Sequence, residues 1–207
     1  MLKSIATHVH PDMGKYAKFP PQEIVLDGGS KVIAGKNGVG KTALLKAIVK
    51  TVGRQLPGPR PYHIVAHWPT VGLSWDGDER PPVVLAKREG SGYDTGNGMW
   101  ECNHEQIGSL FRSSGQNQMD TLGEFLVPAA KAGESCLLLV DEPENGLDLP
   151  IRLKLREALR HLSKRHQVIV STHDLLFLNL FGEPVWLEEK PGELDPARML
   201  IDCLNLP

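Results

Sequence analysis

The chain has 207 residues, 41% of them apolar and 23% charged, which suits one domain with a substantial interior. Its 23 basic and 25 acidic side chains leave a formal net charge of −2, which excludes a global pull toward nucleic acid or membrane and leaves any such contact to a local patch. No apolar run approaches the roughly 20 residues of a membrane helix, the stretch Met1-Leu2-Lys3-Ser4-Ile5-Ala6-Thr7-His8 is too polar for a secretory signal, and Cys102, Cys136 and Cys203 lack metal-ligand spacing; a reducing cytoplasm is the default location.

Residues 1–34 read as strand material. Gln22-Glu23-Ile24-Val25-Leu26 is strand-like, Asp27-Gly28-Gly29-Ser30 is a turn, and Lys31-Val32-Ile33-Ala34 is a short apolar strand. His8 and His10, with Asp12 nearby, read as surface strand residues rather than a metal set. The strand over 31–34 runs into Gly35-Lys36-Asn37-Gly38-Val39-Gly40-Lys41-Thr42, which has the form G-x-x-x-x-G-K-[ST]. Glycines let successive backbone N–H groups converge on phosphate oxygens, and the helix that follows turns its positive end toward the same anion. Lys41 is then expected to bridge the phosphates and the Thr42 hydroxyl to take a magnesium position. The spacing predicts that helix over 42–54, with Leu44, Leu45, Ile48 and Val49 on one buried face and Pro57, Pro59 and Pro61 beyond its end.

A strand is expected over 62–68. The irregular stretch 69–104 follows, with turn clusters at Asp76-Gly77-Asp78-Glu79 and Gly90-Ser91-Gly92-Tyr93-Asp94. Short strands at Val83-Val84-Leu85-Ala86 and Met99-Trp100 suggest an antiparallel meander on a flank of the main sheet. A short helix over 105–111 runs into Arg112-Ser113-Ser114-Gly115-Gln116, and a longer helical stretch over 117–132 must kink at Pro128. Cys136-Leu137-Leu138-Leu139-Val140 is a continuous apolar run, suited to a parallel strand buried on both faces, with Cys136 a small buried hydrophobe. It ends at Asp141-Glu142-Pro143. A loop over 144–148 leads to a helix over 150–165, which opens with Pro150. Gln167-Val168-Ile169-Val170-Ser171 is a second buried strand, ending in Thr172-His173-Asp174. A short helix over 175–181, a strand and hairpin arm over 184–188, and a strand near 199–201 complete the chain. This alternation predicts a wound α/β sheet.

A phosphate loop needs a partner that holds magnesium and one that handles water. Asp141 ends a strand at the carboxyl edge, where ligands bind in open α/β sheets, and suits a metal that keeps most of its waters. Glu142 is adjacent but points elsewhere at a strand end, which suits it to polarise an attacking water. The plainer alternative is a solvated acidic turn.

Several segments together carry a family resemblance. Leu137 to Pro143, then Asn145-Gly146-Leu147-Asp148, then Ser171-Thr172-His173-Asp174 resemble the Walker B, D-loop and switch-histidine segments of ABC-type ATPases. Ser113-Ser114-Gly115-Gln116 is similar to the S-G-G-Q core of their signature. A P-loop kinase would lack both the signature and the switch histidine. The resemblance implies an α/β P-loop NTPase fold, with a mostly parallel central sheet flanked by helices and an antiparallel β subdomain. It implies one ABC-type domain over 1–207, with 69–104 a β-rich insert. It further implies ATP and Mg2+ as cofactors and an ATP-dependent homodimer in which each nucleotide lies between one subunit's phosphate loop and the other's signature. Ser113, Ser114, Gly115 and Gln116 would then serve the opposite γ-phosphate, His173 would contact the γ-phosphate, Glu142 would orient water, and Asp148 would help join the two sites.

Three departures from the family pattern stand out. The segment His67-Trp68-Pro69-Thr70 lacks the family's loop glutamine, the signature carries Arg-Ser-Ser-Gly-Gln, and the interval from Thr42 to Ser113 is short and β-rich. A reduced helical subdomain argues against a transporter subunit, and the absence of a long heptad region argues against relatives with coiled-coil arms. On the helix over 150–165, Arg152, Arg156, Arg160 and Lys164 recur every four residues beside an apolar face of Ile151, Leu155, Ala158, Leu159 and Leu162. That ridge reads either as a solvated helix face or as a contact for DNA or an acidic protein. The expectation is a cytoplasmic ATP hydrolase that drives a separate effector. The alternatives are a nucleotide-gated module with little hydrolysis and, last, the ATP subunit of a transporter.

Overall fold

The computed structural model describes residues 1–7, 22–55, 71–77, 81, 83–87, 135–145 and 147–187, and elements are numbered along these. In chain order they are β1 (Leu2–Thr7), β2 (Gln22–Val25), β3 (Lys31–Ala34), α1 (Lys41–Gln55), β4 (Gly72–Trp75), β5 (Val83–Lys87), β6 (Leu137–Asp141), α2 (Leu149–Leu162), β7 (Gln167–Thr172), α3 (Leu175–Leu178) and β8 (Val185–Trp186). The helices and strands expected over 62–68, 105–111, 117–132 and 199–201, together with His8, His10 and Asp12, lie outside the described residues.

Five strands form a parallel sheet in the order β5-β6-β7-β3-β8, and three form an antiparallel sheet in the order β2-β1-β4. The runs Leu137–Val140 and Val168–Val170 of the central strands are apolar because both sheet faces are covered there. Side chains alternate between the faces with the pleat. Leu137, Leu139, Ile169 and Ile33 pack with α1 and the antiparallel sheet. Leu138, Val140, Val168, Val170 and Val32 pack on the other face with Ile151, Leu155 and Leu159 of α2 and Phe177 of α3. Every residue of β6 and β7 is buried.

The buried side chain of Gln167 joins the two sheets. Its Oε1 accepts from the Leu2 amide at 2.8 Å, and its Nε2 donates to the carbonyls of Leu2 at 2.7 Å and Gly29 at 3.0 Å. A buried amide group left without such partners would be costly, so the core positions of β1 and β7 depend on each other.

Three local expectations are corrected. Val83–Lys87 is not part of an antiparallel meander: it runs parallel to β6, in the register Val83↔Leu137 to Lys87↔Asp141. A short apolar run between turns carries no signal of direction. The strand expected over 184–188 is the shorter Val185–Trp186, which pairs parallel with Ile33 and Ala34 because the chain returns over α3 before reaching the sheet, and a hairpin partner for it would lie outside the described residues. The helix after Asp174 is a single turn capped at Asn179 rather than a helix to residue 181.

Cys136 is buried as expected, with its Sγ 3.3 Å from His166 Nδ1, which also accepts from the Cys136 amide at 3.2 Å. Burial pushes the thiol up from its ordinary 9.0 to about 11, while burial and Arg165 lower His166. An unfolded thiol ionises before the folded one as pH rises, so stability falls between 9.0 and about 11. The urea midpoint should therefore drop above that lower value, by an equivalent of about 1–3 kcal/mol, and Cys136→Ala should remove most of the drop. An undiminished drop in the variant would assign it to other groups.

Candidate active site

The parallel ladder brings three strand ends to one edge. Ala34 pairs with Thr172, and Asp141 pairs with Ser171, so β7 separates the strand before the glycine loop from the strand that ends in Asp141. The glycine loop leaves β3 at Gly35 and enters α1 at Lys41. Gly38 has a φ of 82° with open space where a Cβ would lie, so the backbone conformation, not crowding, calls for glycine. Lys36, Asn37 and Gly38 are exposed at the loop's crest, while Val39 tucks against the core cluster beneath. No acidic residue stands in the first turn of α1 to neutralise its positive end.

Lys41 is 3% exposed. Its ammonium donates to the carbonyls of Gly35 at 2.8 Å and Lys36 at 3.0 Å, and lies 3.6 Å from Glu142 Oε1. These acceptors offset the cost of burying a charge. Beside it, Asp141 Oδ1 accepts from Thr42 Oγ1 at 3.0 Å and from Ser171 Oγ at 2.6 Å. A hydroxyl and a carboxylate meeting there form an all-oxygen donor set, the kind a hard divalent cation prefers. The ammonium and the open helix terminus suit polyphosphate.

Glu142 takes a φ of 45°, a left-handed conformation uncommon outside glycine. Its amide donates to the Ser171 carbonyl at 3.0 Å, and the turn swings its carboxylate away from that of Asp141. Glu142 Oε2 accepts from Asn145 Nδ2 at 2.9 Å, while Oε1 lies between Lys41 Nζ and His173 Nδ1, the latter at 3.7 Å. Thus Lys41, Thr42, Asp141, Glu142 and His173 converge on one cleft. Ser113, Ser114, Gly115 and Gln116 lie outside the described residues. Asp148 is exposed and caps α2, its Oδ1 accepting from the Ile151 amide at 3.1 Å.

Glu144 was not singled out in the sequence, yet it is the deepest acid of this edge after the loop turns back. It is 3% exposed, and its Oε1 accepts from Thr172 Oγ1 at 2.6 Å and from the His173 amide at 3.2 Å. A third carboxylate within four residues of Asp141 was its sole sequence signal. Among the described residues, no group of three or more His, Cys, Asp or Glu side chains is arranged to hold a metal.

The basic ridge is not a row of free cations. Arg152 donates to the Leu147 carbonyl at 2.7 Å and to Asp174 Oδ2 at 2.8 Å, and Arg156 donates to the Leu176 carbonyl at 2.9 Å and Asn179 Oδ1 at 3.2 Å. Both tie α2 to α3. Arg160 pairs with Glu157 at 3.2 Å, and Lys164 is exposed.

A family described as "AAA domain, putative AbiEii toxin, Type IV TA system" matches residues 103–179. A Rhizobium johnstonii protein named as an aliphatic sulfonates import ATP-binding protein is 36% identical over 98 residues, 46% of this chain and 35% of the relative. A Rhodococcus jostii protein of the same name is 27% identical over 196 residues, 85% of this chain and 71% of the relative. The chain is similar to these ABC-type ATP-binding proteins. Its match to the first of these relatives spans about a third of that protein's length. A solved nucleotide-free ATP-binding cassette from an ABC transporter is similar to this chain at 15% identity and a TM-score of 0.48, covering 87% of this chain and 85% of that one. The parallel sheet with helices and a separate antiparallel sheet is the P-loop NTPase fold expected. Among the described residues no helix is long and apolar enough to cross a membrane.

Arg152 and Arg156 thus have a structural part in joining α2 to α3. Arg152→Ala and Arg156→Ala should each lower the unfolding free energy by about 1 kcal/mol, these groups being partly solvated. Lys164→Ala should change it by less than about 0.5 kcal/mol. Urea titration checks both, and arginine variants as stable as the lysine variant would mean that the α2–α3 ties contribute nothing.

Proposed function

We propose that this chain, one ABC-type ATPase domain over 1–207, binds magnesium-ATP, dimerises around two nucleotides and hydrolyses them to drive a separate effector in the cytoplasm. The observation that carries this reading is the convergence of Lys41, the Thr42–Asp141 pair, Glu142 and His173 at one sheet edge. Gly35, Lys36, Asn37, Gly38, Val39 and Gly40 cradle phosphate oxygens with backbone N–H groups, and Lys41 exchanges its loop carbonyls for phosphate. That exchange releases Glu142 from Lys41 and frees its carboxylate to take a proton from the attacking water. Thr42 and Asp141 would hold a magnesium ion, which would supply charge neutralisation at the phosphates. Asn145 steadies Glu142 through its Oε2. His173 stands beside Glu142, where it reaches the γ-phosphate.

On the same reading Ser113, Ser114, Gly115 and Gln116 of one subunit complete the pocket of the other, and Asp148 lies near the joint. A second reading is favoured by the names of the two curated relatives, both import ATP-binding proteins: this chain would be the ATP subunit of a transporter. Co-purification with an integral membrane protein favours that reading, and a soluble effector favours the first. A nucleotide-gated module without turnover is separated from both by steady-state hydrolysis of the purified chain.

Glu142→Gln should retain ATP binding, lose about 10²- to 10³-fold in turnover and accumulate an ATP-bound dimer by gel filtration. Turnover at the wild-type rate would remove Glu142 from the water-handling role. Ser114→Arg sets bulk and positive charge where the opposite γ-phosphate must sit. It should abolish both dimerisation and turnover while leaving ATP binding to the monomer intact. Normal dimers from that variant would refute the composite pocket.

A further inference from the structure

Two carboxylates face the same nitrogen of His173. Glu142 Oε1 lies 3.7 Å from Nδ1, and Glu144 Oε1 lies 3.5 Å from it. Their surroundings differ. The Glu142 side chain is 27% exposed and shares its Oε1 with Lys41, the group that must turn to phosphate when a nucleotide arrives. Glu144 is buried, and its Oε1 is fixed by the Thr172 hydroxyl and the His173 amide. Its Oε2 is buried with no hydrogen-bond partner among the described residues, so the carboxylate is held in place through one oxygen. The Thr172 hydroxyl that donates to Glu144 also accepts from the Asp174 amide at 2.9 Å. Asp174 in turn accepts from Arg152 and caps α3 through the Leu176 amide. One acid thereby clamps the backbone on both sides of the histidine and faces the ring itself.

We propose that Glu144 is the positioning residue of His173: it holds the proton on Nδ1 and turns Nε2 outward, toward the cleft. This rests on the reading of His173 as the phosphate-facing histidine. A carboxylate partner selects the imidazole tautomer because neutral imidazole carries one N–H, and that N–H stays on the nitrogen facing the acceptor. Glu142 cannot keep that role through a cycle in which it also handles water, whereas nothing in the cycle calls Glu144 away from its two donors, the Thr172 hydroxyl and the His173 amide. His173 is 39% exposed in its side chain, so its ring orientation depends on the few groups that face it.

The test reads the tautomer of His173 directly, by long-range ¹H–¹⁵N correlation of the histidine rings at about pH 8.5, above the ordinary imidazole range. His173→Asn assigns the signal. The wild type and Glu142→Gln should show the Nδ1–H form. Glu144→Leu, similar in size, should shift the ring to a mixture in which Nε2–H dominates, and Glu144→Gln, which keeps an acceptor oxygen, should restore Nδ1–H. Turnover should follow: about 10- to 100-fold lower kcat in Glu144→Leu, with KM for ATP changed less than about twofold and recovery in Glu144→Gln. An Nδ1–H signal unmoved in Glu144→Leu overturns the proposal. If that variant does not fold, Glu144→Asp, which withdraws the carboxylate by one methylene, replaces it with the same expected loss and the same refuting result. Absence of hydrolysis by the wild type would refute the enzyme reading alone, since the tautomer is measured without turnover.

Discussion

The cleft depends on the position of β7. Its last residues pair with Ala34 on one side and Asp141 on the other, so a glycine loop and an acidic turn separated by a hundred positions meet across a single strand. The spacer is not passive. Ser171 donates to Asp141, Thr172 donates to Glu144, and His173 follows at once. Ser171 and Thr172 address different acids because successive side chains of a strand point to opposite faces.

Charge is concentrated on that edge in an unusually dry setting. Lys41, Asp141 and Glu144 are each nearly inaccessible. Each is held by groups that belong to the backbone or to short hydroxyl side chains, which lose little rotamer freedom on ordering. Groups held in this way form fixed dipoles at the strand ends, and dipoles fixed in advance stabilise developing charge with little reorganisation. The one conformational exception is Glu142, with its left-handed φ. Strain of that kind costs on the order of 1–3 kcal/mol and persists where the surroundings over-determine it. Here the Ser171 carbonyl and Asn145 do so.

Much of this was legible in the chain. Leu137-Leu138-Leu139-Val140 read as a doubly buried strand because burial on both faces removes polar alternation. The phosphate loop read plainly because binding one anion constrains contiguous residues. The direction of Val83–Lys87 did not, since the same short apolar run suits either pairing. The ridge of Arg152 and Arg156 was visible as spacing, but helical period says nothing about a neighbour such as α3 packing over it. Glu144 escaped notice for a related reason. Its burial depends on Thr172 and His173, 28 and 29 positions away, and no local pattern around residue 144 reports them.

The bond between Gln167 and Leu2 spans 165 positions. During synthesis the strand at residues 2–7 emerges early, but the amide that fixes its main chain emerges only with β7. Until then that strand has its antiparallel neighbours and no tether to the parallel sheet. The clasp thus closes late, and contacts of such long sequence separation slow folding, because loop entropy must be lost before they form. The antiparallel layer and the cleft at the strand ends are for this reason completed together: the same strand that supplies Gln167 at one end supplies Ser171 and Thr172 at the other.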